Sequence, residues 1–268
     1  MPVPRPHHHL TVRSATSATL RRTVAAALGG ALVFGFTSVA HAYRPFDGTD
    51  ADVAETGEFE LECGSAYTAI KGTFTQLTAP WLVLNLGIYH RFELVLETNN
   101  VLAQRPAGGV LDQLQETHAF VKAVLRKGVI QDQTGPSIAV EAGPWLPNPN
   151  GEIGVGGSAD FIVSIKIQRL ILHLNLMGAY QLDHHVQGFA SLIGEGPHAL
   201  AVRPVFELVA QHTLDGPTLY SGLAGGIWAA TKDLDVDLGL RGASTDQVPS
   251  AQLRLGFTLR VPVWHPKD

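Results

Sequence analysis

Several side chains in this 268-residue sequence are of the types that chemistry uses. Ser137 or Ser164, paired with His118 or His173, could supply the nucleophile and base of an acyl-transfer site. No Ser–His spacing in the chain supports that pairing by itself, so no catalytic residue is assigned. Asp183-His184-His185 offers three metal-ligating groups in a row, but neighbours in a loop point in different directions, and the segment reads as a solvated loop. Gly154-Val-Gly-Gly157 has the glycines of a phosphate loop without the lysine or the helix that should follow, and reads as a turn. A single cysteine, Cys63, excludes an internal disulfide, a zinc cluster and a Cys-x-x-Cys pair. With Glu62 and Gly64 as neighbours it has no base to make a thiolate. No cofactor and no metal are expected.

The charged residues form a larger and more regular set. Glu93, Glu97, His118, Lys122, Arg126, Glu141, Arg203, Glu207, Asp235, Asp237, Arg241, Arg254 and Arg260 each fall on the polar face of a segment whose apolar residues occupy every second position. Such a set suits the wall of a polar lumen, where opposite charges pair and the remainder biases what passes. His118, Lys122 and Arg126 share one face and could favour anions. Pairing with Glu93, Glu97 or Glu141 is the preferred reading, because buried charges are seldom left single.

The elements that must carry these residues have period two, not 3.6. Phe59, Leu61 and Cys63 alternate with Glu58, Glu60 and Glu62, and Phe92, Leu94 and Leu96 with Glu93, Val95 and Glu97. Leu170, Leu172, Leu174 and Leu176 oppose His173 and Asn175, and Leu234, Val236, Leu238 and Leu240 oppose Asp235, Asp237 and Arg241. The segments run beyond the 5 or 6 residues usual in globular sheets. About ten residues at ~3.3 Å each, tilted near 45°, rise ~23 Å, the height of the apolar band on a transmembrane barrel. Lys166 and Arg169 interrupt Phe161–Leu182, the other apolar run in the mature chain long enough to suggest a membrane helix.

Residues 1–42 carry Arg5, Arg13, Arg21 and Arg22 and no acid. Arg21-Arg22 precedes eighteen uncharged residues, Thr23 to Ala40, and then Ala40-His41-Ala42. This is a basic region, an apolar region and an A-x-A cleavage site in order, so export and cleavage after Ala42 are expected. A twin-arginine route is the weaker reading, since barrel precursors cross the inner membrane unfolded. His7-His8-His9 lies in the discarded part. The remaining 15 basic residues face 24 acidic ones, a formal charge of −9, which argues against nucleic acid as a partner.

The expected architecture is therefore all-β: a leader at 1–42, an N-terminal periplasmic segment at 43–57, and an antiparallel transmembrane barrel at 58–268. Eleven strands can be read directly. Closure and an even strand count make twelve the expectation and ten the alternative, with Tyr67 to Ala79 the best place for an added strand. Long outer loops are expected at Asn99–Glu116, Pro147–Gly157 and Asp183–Ala199, and short turns at His90-Arg91 and Gln168-Arg169. Trp264 stands four residues before the C-terminus, near where the assembly machinery reads an aromatic residue in many barrels.

Four stretches, YRPFDGTD at 43–50, LNLG at 84–87, AVRPVFEL at 201–208 and AQLRLGFT at 251–258, resemble a broad group of proteobacterial outer-membrane barrels described as transporter-like. That group includes proteins linked to phenol-degradation pathways. The resemblance spans most of residues 43 to 262 and implies residence in outer-membrane lipid, insertion by the barrel-assembly machinery and passage of small solutes. It carries no catalytic residue. A narrow channel is the expected function, a non-conducting structural or adhesive barrel is the alternative, and an outer-membrane hydrolase is third.

Overall fold

In the computed structural model, residues 44–71, 75–104, 110–147 and 154–264 are described; the leader, the Ala40/Ala42 cleavage site and His7-His8-His9 lie outside them. Among the described residues twelve strands follow one another: β1 (Glu58–Ile70), β2 (Thr75–Tyr89), β3 (Phe92–Gln104), β4 (Val110–Arg126), β5 (Ser137–Trp145), β6 (Gly156–Ile167), β7 (Leu170–Tyr180), β8 (Val186–Glu195), β9 (Val202–Thr213), β10 (Thr218–Ala229), β11 (Leu234–Thr245) and β12 (Val248–Pro262). Each pairs antiparallel with its chain neighbours, and β1 pairs with β12 from Glu58↔Pro262 to Ile70↔Ser250, so the sheet closes with no free edge. Closure lets every strand satisfy its backbone without water, as hydrocarbon requires.

The exposure of alternate side chains is inverted relative to a soluble sheet. On β9, Leu208 is 56% exposed while its neighbour Glu207 is fully buried. The same holds for Leu238 against Asp237 and Leu255 against Arg254. Apolar side chains on the outside of a closed sheet can be stable only in lipid, which establishes a membrane barrel over a periplasmic sandwich. Twelve residues per strand at ~3.3 Å and a ~45° tilt give ~28 Å, enough to cross the hydrocarbon. Exposed aromatic residues cluster near both rims: Tyr89, Phe92, Trp228 and Trp264 at the end holding the two chain termini of the barrel, and Tyr67, Tyr180 and Tyr220 at the far end. Interfacial girdles of this kind belong to the outer-membrane type of barrel.

The added strand is not at Tyr67–Ala79. Tyr67–Ile70 belong to β1 and Thr75–Ala79 to β2, and the strand missing from the sequence reading is β8, in what was expected to be a long loop. Its inward side chains include Phe189 and Ile193 and its outward ones Gly188 and Ala190, so alternation of polar and apolar types is lost. Ile193 is turned inward because it packs, with Val205, Leu223 and Ile227, around Phe46. The segment Asn99–Glu116 is also mostly strand, since β3 runs to Gln104 and β4 starts at Val110.

The largest departure concerns the N-terminal segment. Residues 44–56, expected outside the barrel in the periplasm, run along the inner wall as a strap. Phe46 sits in the apolar patch just described. Thr49 N–H donates to Asn175 Oδ1 at 2.9 Å, Ala51 N–H to Ser164 Oγ at 3.0 Å and Ala54 N–H to Glu93 Oε2 at 2.6 Å. Ala51 is fully buried against Ile130, Ala139, Ile162 and Ile171. The β4–β5 connection folds back to hold it, with Gln131 Nε2 donating to Ala51 O at 2.8 Å. Where the strap returns to the wall, a Cβ on Gly87 would lie 2.0 Å from Glu55 O, so only glycine admits the backbone there.

Candidate functional site

The strap divides the bore. On the side of the chain termini its residues and the wall are knit together by ion pairs. On the far side a cavity of about 600 Å³ remains, floored by Arg44, Phe46, Asp47, Gly48 and Thr49. We call this cavity the vestibule.

The floor is built around Asp47. Its two carboxylate oxygens meet Arg254 Nη1 at 2.6 Å and Arg241 Nη1 at 2.5 Å, and Arg241 also pairs with Glu207. Glu207 in turn accepts from the backbone N–H of Gly48 at 2.8 Å, so the strap supplies both a charge and donors to the wall. Arg254 Nη1 donates to Pro45 O at 2.7 Å. Arg44 approaches Asp237 at 3.7 Å, and the guanidinium carbons of Arg44 and Arg254 each lie 5.0 Å from the Trp81 ring centroid. An isolated guanidinium or carboxylate at this depth would be costly, and here each has an opposite partner.

Below the strap the pattern continues. Arg260 joins Glu60 at 3.0 Å and Asp235 at 3.2 Å, and Arg203 joins Glu195 at 2.9 Å. Of the serines and histidines named from sequence, Ser164 and His173 do meet: Ser164 Oγ lies 2.8 Å from His173 Nδ1, and His173 Nε2 lies 3.4 Å from Glu195 Oε1. The order serine, histidine, carboxylate is that of a hydrolase triad. Ser164 is nevertheless fully buried, and its oxygen already accepts the Ala51 N–H, so the trio anchors the strap. Ser137 is likewise engaged, donating to Gln131 Oε1 at 2.7 Å.

On the vestibule wall, Glu97 accepts from Trp81 Nε1 at 3.0 Å and lies 3.6 Å from His118 Nδ1. The His118 ring stacks on Trp145 with centroids 4.6 Å apart. Lys122, at the base of this wall, is tied to Glu93 at 3.6 Å, Asp50 at 3.9 Å and Thr49 Oγ1 at 3.0 Å. Glu141 and Asp160 line the adjoining wall on β5 and β6. Between Gln115 and His118 the chain bulges, placing two residues opposite Thr98, with Glu116 in the left-handed region at φ 50°. The bulge turns Glu116 into the vestibule, where Asn99 Nδ2 donates to it. Asn99 Oδ1 and Asp160 Oδ1 have no hydrogen-bond partner among the described residues.

Of the charges expected in the lumen, all face inward except Arg126. Alternation ends at a register shift between Val124 and Arg126, and the exposed Arg126 guanidinium donates to the turn carbonyls Pro136 O and Thr134 O. A basic stripe of His118, Lys122 and Arg126 therefore does not form, and Lys122 is neutralised by acids as the pairing reading expected. Asp183, His184 and His185 occupy the short β7–β8 turn at the far rim, where His184 meets the Tyr180 hydroxyl at 2.9 Å and His185 meets Asp183 at 3.1 Å. The His185 backbone N–H bonds the Asp183 carboxylate and holds it below its ordinary range. Arg44, Asp47, Glu62, Glu116 and Asp160 were not assigned from sequence. The strap residues sit in no strand, and a bulge hides Glu116. Asp160 was readable as the polar neighbour of Phe161.

No family model matches the chain, and no curated protein matches it. Among solved structures it is similar to the COG4313 outer membrane channel from Pseudomonas putida F1, at a TM-score of 0.60 and 9% identity over 81% of this chain and all of that one. Weaker likenesses are the KdgM porin in complex with disordered oligogalacturonate, TM-score 0.48, 7% identity, 74% of this chain and 98% of that one, and the CymD monoaromatic hydrocarbon channel, TM-score 0.47, 8% identity, 80% and 90%. At 9% identity the likeness to the Pseudomonas putida channel shows the fold alone, and no residue role transfers.

Proposed function

We propose that the protein is a narrow, gated outer-membrane channel for small solutes, whose vestibule admits a solute from one side and whose strap bars the bore until it shifts. The observation that carries this reading is the vestibule itself: a polar cavity of about 600 Å³ inside a closed membrane barrel, ending on a strap held by hydrogen bonds and ion pairs. At twelve strands the bore is between the filled eight-stranded barrels and the wide sixteen-stranded porins. A structural anchor needs no such cavity. The similar Pseudomonas putida protein is described as an outer membrane channel, which agrees.

In this reading residues 1–42 direct export and are removed after Ala42, leaving Tyr43 just ahead of the strap. The end with the chain termini faces the periplasm and the vestibule faces outward. The lumen charges from Glu93 to Arg260 set selectivity, with Arg126 left out. Catalysis is not assigned, because Ser164 has no open face.

The test is single-channel conductance of the refolded mature chain, residues 43–268, in a planar bilayer, after heat-modifiable migration on a gel has confirmed the barrel. Discrete, brief openings are expected. A heat-modifiable protein that stays silent under all voltages and solutes would replace the channel with a non-conducting anchor for the outer turns.

A further inference from the structure

We propose that the vestibule binds small organic cations with an apolar body, of the arylalkylammonium class; this rests on the channel reading in placing the vestibule where solutes first arrive. Seven carboxylates line the cavity against three basic side chains, Arg44, Lys122 and Arg254. All three basic groups are already matched: Arg44 with Asp237, Arg254 with Asp47, and Lys122 with Glu93 and Asp50. No cationic group is left over to hold an anion.

The carboxylates are not spread evenly. Glu97, Glu116, Glu141 and Asp160 all belong to the wall formed by β3 to β6, whereas β8 and β9 present Gln187, Phe189 and Gln211. Within the acidic wall, acceptors outnumber donors. Asn99 is 4% exposed, and while its amide nitrogen serves Glu116 its Oδ1 lacks a partner; Asp160 Oδ1 also lacks one. A ligand seated against this acceptor-rich wall is favoured if it brings N–H donors and positive charge, which an ammonium group does.

Aromatic rings supply the second half of the recognition. Trp145 lines the cavity with the His118 imidazole stacked on it, while Trp81, also in the lining, already carries the Arg44 and Arg254 guanidinium groups over its ring. An indole face attracts a cation and also packs the flat apolar body attached to it. The cavity, at about 600 Å³, is of the size that small-molecule sites have. Acidic groups inside low-dielectric walls focus the field and raise the local concentration of cations.

The experiment is titration of the full mature chain in detergent micelles with benzylammonium, benzyl alcohol and benzoate, read by tryptophan fluorescence and by calorimetry. Benzylammonium should bind about tenfold or more tightly than benzyl alcohol, with benzoate weakest, and its affinity should fall as salt rises. Glu116→Gln combined with Asp160→Asn should abolish that preference while leaving benzyl alcohol binding unchanged. Glu141→Gln alone, which should weaken benzylammonium in the same direction, serves if the double variant loses heat-modifiable migration. Equal affinity for the ammonium and the alcohol, or a preference that survives these substitutions, overturns the proposal. Because binding is read without transport, a silent protein that binds benzylammonium would sink the channel reading alone, and a conducting one that does not would sink this one alone.

Discussion

Asp47 holds two arginines at once, and through Arg241 it is linked to Glu207, a carboxylate with no exposure at all. Removing the guanidinium leaves the fully buried Glu207 carboxylate without its cation beside Asp47, which keeps Arg254. Arg241→Ala is therefore expected to cost roughly 3 kcal/mol of stability, read as a lower urea midpoint in micelles. Lys232→Ala, in an exposed pair with Asp233, should change it by less than ~0.5 kcal/mol. The wall half of this network was legible in the sequence, because Glu207 and Arg241 alternate with leucines. The strap half was not: Asp47 follows Phe46 in an irregular segment with no periodicity to say which way it points. Arg126 shows the reverse error, since its alternation with Leu125 persists in the sequence past the point where the strand pairing shifts register.

Strands are where the sequence was most readable, for the reason that lipid outside and charge inside leave no freedom in the choice of side chain. Leu238 is 54% exposed and Asp237 beside it is buried. Leu238→Arg places a charge on the lipid face near mid-strand and should destabilise the inserted barrel by ~2–4 kcal/mol. Conversion to the heat-resistant gel form, followed during refolding into vesicles, should be correspondingly impaired, whereas Val186→Arg, on an exposed side chain at the far-rim end of β8, should cost only ~0–1 kcal/mol and refold nearly normally. β8 escaped detection because the rule is relaxed there: the strap offers Phe46 to its inner face, so Ile193 is apolar where a charge was expected. The loop lengths were misjudged for a related reason. Where β3 and β4 bulge, at Glu97/Asn99, the alternation breaks and the strand beyond it reads as coil.

At the scale of the molecule, a closed barrel explains the outward leucines, and the strap explains why the bore is so heavily charged. The inner wall must match Arg44, Asp47, Asp50 and the strap's backbone N–H groups as well as itself. The barrel and its lumen charges were legible in the sequence; that the lumen wall also faces the protein's own N-terminal segment was not. Residues 44–56 close the bore of a membrane-spanning channel in this reading. Its most direct test compares the single-channel conductance of the mature chain with that of a chain lacking residues 43–56, both first shown to be heat-modifiable. Brief, small openings are expected for the mature chain and a larger, persistently open level without the strap. Equal conductance in the two would contradict it and leave the strap a structural brace.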